Sequence, residues 1–258
     1  MNYPKLKITF LGSGTSSGVP MIGCNCVVCK SSNKRDKRLR ISILVESQNT
    51  TLVVDTTPDF RYQMLRQNVS KLDAILYTHS HKDHIAGLDD IRAYNYLLQK
   101  PMDIYASDIT QKALKKEFSY AFEDEKFPGL PQLHMHTIPE DEFLIGDIPV
   151  IPINVHHLRM PVLGFRFGAF TYITDANRID EIEKEKIKGS KVFTLNALRM
   201  EKHVSHFSLP EAVELVNELG IEQAYFTHIS HQLGLHNDVN NMLPMGIELA
   251  WDGLEINL

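Results

Sequence analysis

The sequence predicts an α/β fold of two β-sheets flanked by helices, in a single domain over residues 1–258. Three observations lead there. Short apolar, β-branched runs recur from end to end and alternate with segments of helical spacing. No linker, low-complexity tract or short-period repeat interrupts them. A chain of 258 residues can also hide roughly 70–75% of its unfolded surface, enough for a sizeable core.

Taken in order, Leu6–Leu11, Ile41–Glu46, Leu52–Asp55 and Ala74–Thr78 read as strands. Helical spacing runs through Phe60–Gln67, Asp89–Leu98 and Thr110–Phe118. The second half repeats the theme, with strands expected at Pro149–Val155, Gly164–Phe167, Phe170–Thr174, Val192–Leu195 and Gln223–Thr227. Before the last of these, Ser208-Leu209-Pro210-Glu211 has the marks of a helix start. Its serine can cap free N–H groups, its proline fits the first turn, and its glutamate stands near N3. Gly220 then stops the helix. Phe118–Pro139, with Pro128, Gly129 and Pro131, is the least regular stretch and is expected to form a loop or small insertion near the site.

Apolar residues make up 43% and charged residues 23% of the chain, an ordinary balance for a globular protein. With 27 basic and 32 acidic residues the formal net charge is −5, which gives no global attraction to nucleic acid or anionic membrane. No apolar stretch approaches the ~20 residues of a membrane span. The amino terminus shows no apolar signal segment. All three cysteines fall between Cys24 and Cys29, a cluster better suited to a metal in a reducing compartment than to a disulfide framework. A cytoplasmic location is expected.

The strongest chemical signal is His79-Ser80-His81-Lys82-Asp83-His84, which directly follows an apolar strand. Imidazole and carboxylate donors suit Zn²⁺, Mn²⁺, Fe²⁺ or Ni²⁺, and close spacing lowers the entropy of assembling a site. In an extended turn His79 and His81 point one way while Asp83 and His84 point another, an arrangement for two ions side by side. Chance histidines in a polar loop are the alternative, but H-x-H-x-D-H at the end of an apolar strand is too specific a pattern for that.

The run Thr78 to Leu88 resembles the defining motif of the metallo-β-lactamase fold superfamily. That resemblance implies a four-layer αβ/βα sandwich with a dinuclear metal site at one edge. It also implies further ligands at later strand ends: a histidine at Val155-His156-His157, an aspartate at Asp175 and a histidine at His228. Carried over, His79, His81 and His156 hold one ion, Asp83, His84 and His228 the other, and Asp175 bridges them. His157 is the alternative to His156, which is preferred for its spacing to Pro161-Val162-Leu163-Gly164-Phe165.

The spacing C-x-C-x₂-C in Cys24, Cys26 and Cys29 supplies three soft ligands, and tetrahedral zinc needs a fourth. His231, three residues past His228, is the candidate. Within the superfamily this set is similar to the PhnP-like phosphodiesterase subgroup of the carbon–phosphorus lyase pathway, which implies a structural zinc. Leu11-Gly12-Ser13-Gly14-Thr15-Ser16 and Ala250-Trp251-Asp252-Gly253 share that resemblance. The glycine-rich phrase lacks a Walker lysine and reads as a tight turn beside the site, not a nucleotide cradle.

The same likeness implies a catalytic histidine before the Ser208 helix, with His206 preferred over His203, and a protonated imidazole there would serve the leaving group. Asp83 is expected to orient the nucleophile, a hydroxide shared by two ions. The implied activity is hydrolysis of a small phosphodiester, cyclic ones included, or of a nucleotide. The alternatives are RNA processing like that of ribonuclease Z, hydrolysis of a lactone or thioester, and a non-catalytic metal-binding role. Nucleic acid is a less favoured partner, and a homodimer is implied by the resemblance alone.

Overall fold

The computed structural model describes residues 4–123 and 129–258. Among the described residues, fifteen strands form two sheets. The first runs in the order β15 (Glu255–Asn257), β1 (Lys7–Gly12), β2 (Ser42–Glu46), β3 (Thr51–Val54), β4 (Ala74–Leu76), β5 (Met102–Ala106) and β6 (Leu133–Thr137). The second runs β11 (Arg178–Ile179), β8 (Ile148–His157), β9 (Met160–Phe167), β10 (Phe170–Tyr172), β12 (Val192–Asn196), β13 (Gln223–Thr227) and β14 (Ile247–Leu249), with β7 (Phe143–Ile145) paired to β8. Each sheet is antiparallel at one end and parallel at the other, from β3 through β6 and from β10 through β14.

The facing sheets bury Phe10, Val45, Val54 and Leu76 against Phe165, Phe167, Tyr172 and Tyr225. Helices cover both outer faces. On the first sheet lie α2 (Phe60–Arg66), α4 (Arg92–Leu98) and α5 (Asp108–Glu117), whose Phe60, Met64, Tyr94 and Leu114 meet Val53, Ile75 and Ile104. On the second lie α6 (Glu181–Ile187), α7 (Leu209–Glu218) and α8 (His236–Asn240), with Ile187, Val216 and Val239 against Phe193 and Phe226. The result is the expected four-layer sandwich. Parallel strands covered on both faces must be apolar throughout, and Ala74-Ile75-Leu76 is wholly buried. No helix among the described residues is long and apolar enough to cross a membrane.

Several expectations hold closely. The α7 start carries a capping box of Ser208 and Glu211 with proline in its first turn. Asp89–Leu98 divides into a 3₁₀ turn at Leu88–Ile91 and α4. The irregular reading of Phe118–Pro139 is corrected in part: Leu133–Thr137 is the edge strand β6, while residues 124–128 of that stretch lie outside the described residues. The parallel strands lead upward to one rim of the sandwich, and that rim carries the site. There the sheets are joined directly, the Leu163 N–H donating to the Thr78 carbonyl at 3.0 Å.

Candidate metal centre

His79 follows β4, His157 ends β8, Asp175 follows β10 and His228 follows β13. Short α3 (Lys82–Ile85) turns Asp83 and His84 back toward them. Gly87 makes this turn possible, because a Cβ there would lie 2.2 Å from the Thr57 carbonyl oxygen. Asp175 and His228 both adopt positive φ, 53° and 54°, as does Asp55 at 66°. Left-handed backbone is costly for residues other than glycine, and such conformations concentrate where a side chain must be aimed.

The donors converge on Asp175. Its Oδ2 lies 3.6 Å from His79 Nε2, 3.3 Å from His84 Nε2 and 3.5 Å from His206 Nε2, and its Oδ1 lies 3.2 Å from His228 Nε2. Asp83 Oδ2 is 3.4 Å from His84 Nε2 and 3.8 Å from His228 Nε2. Asp83, His84, Asp175 and His228 thus form one compact group, and His79, His81 and Asp175 another sharing the same aspartate.

His156 does not join them, and the expectation that it would is corrected. Its Nε2 pairs instead with Asp180 Oδ2 at 3.0 Å. Strand alternation is the reason: Ile153 and Val155 are buried and Asn154 is exposed, so the inward position after Val155 is His157. The His157 ring lies 5.1 Å from that of His81 and 6.0 Å from that of His79. Its Nδ1 donates to the Ser205 carbonyl at 2.7 Å, which leaves Nε2 with its lone pair.

Asp55 was not singled out by the sequence, yet it orients His84. Its Oδ2 lies 2.7 Å from His84 Nδ1, and its other contacts are the N–H and hydroxyl of Thr78, at 2.9 and 2.8 Å. An imidazole that donates through Nδ1 presents Nε2 as an acceptor, the arrangement seen behind metal-binding histidines. Residues 29 apart give no local signal for such a pair.

The electrostatics match a site for cations. Burial pushes His79 well below the ordinary histidine range, and His84 adds to the effect. Burial acts the same way on His84, but Asp175, Asp55 and Asp83 outweigh it and hold that ring well above the range. Asp175 is buried too, and His228 and His84 keep its carboxyl well below the usual carboxylate value. The ring nitrogens His79 Nε2, His84 Nε2 and both of His228 are buried without a hydrogen-bond partner. Buried polar atoms seldom stand unpaired, so these residues fit divalent cations as the missing partners.

His206 faces the same centre, its ring 4.5 Å from His157 and 4.7 Å from His228. Burial pushes its pKa down to about 4, so the ring is neutral near pH 7 and not the imidazolium expected. His203 lies behind it, with the two Nδ1 atoms 3.2 Å apart and Ser205 Oγ within 3.3 Å of each.

The cysteines assemble as the spacing suggests. Cys24, Cys26, Cys29 and His231 bring one ligand atom each within 4.8 Å of one another. His231 Nδ1 is 3.5 Å from Cys24 Sγ and 3.4 Å from Cys26 Sγ. The backbone N–H of Cys29, with His231, holds the Cys26 thiol down at about 6. Between His228 and His231 the chain is clamped to the glycine-rich loop, Thr15 N–H donating to Ile229 O and Ile229 N–H to Ser13 O.

Comparison with known proteins agrees with this fold. A family described as a beta-lactamase superfamily domain matches residues 50–229. A crystal structure of a diphosphatase from the PhnP family is 40% identical, with a TM-score of 0.92 and 98% of each chain covered. The Octanoyltransferase of Porphyromonas gingivalis is 35% identical over 253 residues, which is 97% of this chain but 51% of that protein, so the chain spans about half its length. A Ribonuclease Z of Acaryochloris marina is 30% identical over 166 residues, 62% of this chain and 47% of that protein. On its fold and a family match across most of its length, the chain belongs to the metallo-β-lactamase superfamily.

Proposed function

We propose that the chain is a dinuclear phosphoesterase acting on a small disubstituted phosphate, a phosphodiester or a nucleotide-like diphosphate. The observation that carries this reading is the convergence of unpartnered histidine nitrogens on Asp175 from two sides. His79, His81 and His157 would hold one ion, Asp83, His84 and His228 the other, with Asp175 between them. Two such ions supply Lewis acidity toward phosphoryl oxygens and lower the pKa of water. The Cys24, Cys26, Cys29 and His231 set would hold a structural zinc.

The protein's own groups then do the positioning. Asp55 and the Ser205 carbonyl fix the tautomers of His84 and His157. Asp83 orients the attacking water. Neutral His206 directs an Nε2–H into the site toward the departing oxygen, with Ser205 and His203 behind its other nitrogen.

Phosphorus chemistry is favoured by the 40% identity to a PhnP-family diphosphatase over nearly the whole chain. That relative is also the specific support for a diphosphate substrate. A diester and the inner phosphorus of a diphosphate present the same monoanionic tetrahedral centre with two bridging oxygens, so one site geometry serves both.

The test is a parallel screen of metal-loaded protein against bis(p-nitrophenyl) phosphate, a nucleotide diphosphate ester, a short RNA, a lactone and an octanoyl thioester. The thioester is included because the P. gingivalis relative is named for octanoyl transfer. Turnover of the diester or the diphosphate ester is expected. Turnover of the lactone or thioester alone would overturn the substrate class.

A further inference from the structure

A third set of donors stands apart from both sites, on the open edge of the first sheet. In the parallel pairing of β5 and β6, Asp103 lies opposite His134 and Tyr105 opposite His136. Leu133 and Met135 pack into the helix-side core, so the two histidines share the other face. Both rings aim at one carboxylate oxygen: His134 Nδ1 lies 3.1 Å and His136 Nε2 2.7 Å from Asp103 Oδ1. Asp103 pairs with Ala74, at the end of β4 remote from His79, so this set shares no residue with the catalytic rim.

The arrangement is held in place. His136 stacks on Tyr105 at 4.6 Å and 17°, and Tyr105 stacks on Phe143 at 5.7 Å and 29°. The side chains of Asp103, His134 and His136 remain 37%, 67% and 32% exposed, so a hydrated ion can reach them. We propose that Asp103, His134 and His136 form a further binding site for a borderline divalent cation, Zn²⁺ or Ni²⁺.

Bonds of about 2.0–2.1 Å in a tetrahedron separate neighbouring donors by roughly 3.4 Å. The two observed N···O separations therefore need to open by less than an ångström, within reach of side-chain rotation. Two imidazoles with one carboxylate select Zn²⁺ or Ni²⁺ over Mg²⁺ and Ca²⁺, which prefer oxygen. A neutral ring need not lose a proton to bind, since its N–H can move to the nitrogen facing solvent. Water completes the coordination. The bound ion ties the edge strand β6 to β5, which is otherwise held by ladder hydrogen bonds on one side only.

The test uses the whole protein with Ni²⁺ or Zn²⁺ as the probe, comparing the parent with H134Q/H136Q. The parent is expected to bind one more equivalent of Ni²⁺ than the variant. Its thermal transition should rise with excess Ni²⁺, and that rise should be lost in the variant, because an ion binding only the folded state stabilises it. D103N should weaken binding at least 10-fold. Turnover should be unchanged in each variant.

A second measurement needs no variant: Zn²⁺ should slow carbethoxylation of His134 and His136 in the parent, read by peptide mass spectrometry. Equal stoichiometry in parent and variant, or histidines modified equally fast with and without Zn²⁺, would overturn the proposal. Because the readout is a difference at these three residues, it stands or falls independently of the catalytic reading.

Discussion

His236 should make this fold sensitive to mild acid. It is 1% exposed, and its Nδ1 lies 3.0 Å from Arg38 Nη2 inside a network that also holds Ser13 and Asp252. A guanidinium can only donate, so Nδ1 must be the acceptor and the proton must sit on Nε2. Protonating Nδ1 would turn that bond into a repulsion. Burial first, then the Arg38 and Arg35 cations, push the His236 pKa down from 6.5 to about 4, with Asp36 drawing it the other way.

A depressed folded value gives stability that is full above the unfolded pKa and lost as pH falls. The window here is pH 6.5 to 4. At 1.36 kcal/mol per tenfold change in proton affinity, the loss amounts to about 3 kcal/mol. For a chain of this size that corresponds to roughly 6–12 °C in Tm. The variant H236Q keeps an oxygen acceptor for Arg38 and removes the titration. Urea unfolding of both proteins at pH 7.5, 6, 5 and 4 should show the stability gap shifting by about 3 kcal/mol in favour of the variant. Ion release in acid affects both alike and cancels. A gap that stays constant within about 0.5 kcal/mol across that range would refute the reasoning.

The metal centre gives three further expectations. H157A should lose bound metal and more activity than the ~10–100-fold typical of changing an outer partner, whereas H156A should stay within a few-fold of the parent. Asp55→Asn should cost about 10–100-fold in metal affinity or turnover with little change in the far-ultraviolet circular dichroism, since it alters His84's partner and not the core. Cys26→Ser should release one metal equivalent and also lower turnover, because the loop it anchors carries His228. Normal metal content with unchanged turnover would count against that link.

Much of this was legible in the sequence. The H-x-H-x-D-H run after an apolar strand, the strand-end Asp175 and His228, and the C-x-C-x₂-C loop with His231 all point where the fold places them. The choice between His156 and His157 turned on strand phase. The alternation Ile151, Ile153, Val155 continues to His157, and that period decides more firmly than the spacing to Pro161.

Other features are harder to read locally. Leu133-His134-Met135-His136-Thr137 alternates apolar and polar residues, but five residues in a stretch punctuated by Pro128, Gly129 and Pro131 do not stand out as a strand, and β5 is equally short. Asp55 acts on His84 across 29 residues, and Ser205 acts on His157 through a backbone carbonyl, which any residue could supply. The protonation of His206 depends on burial, which only the assembled rim creates.

The central claim is a pair of ions bridged by Asp175, and one measurement addresses it most directly. Crystals of metal-loaded protein, with anomalous diffraction recorded at the metal edge, should show two peaks about 3.5–4 Å apart. One should lie among His79, His81 and His157, and the other among Asp83, His84 and His228. A single peak at that rim, or a peak coordinated by His156 with His157 turned away, would contradict the account.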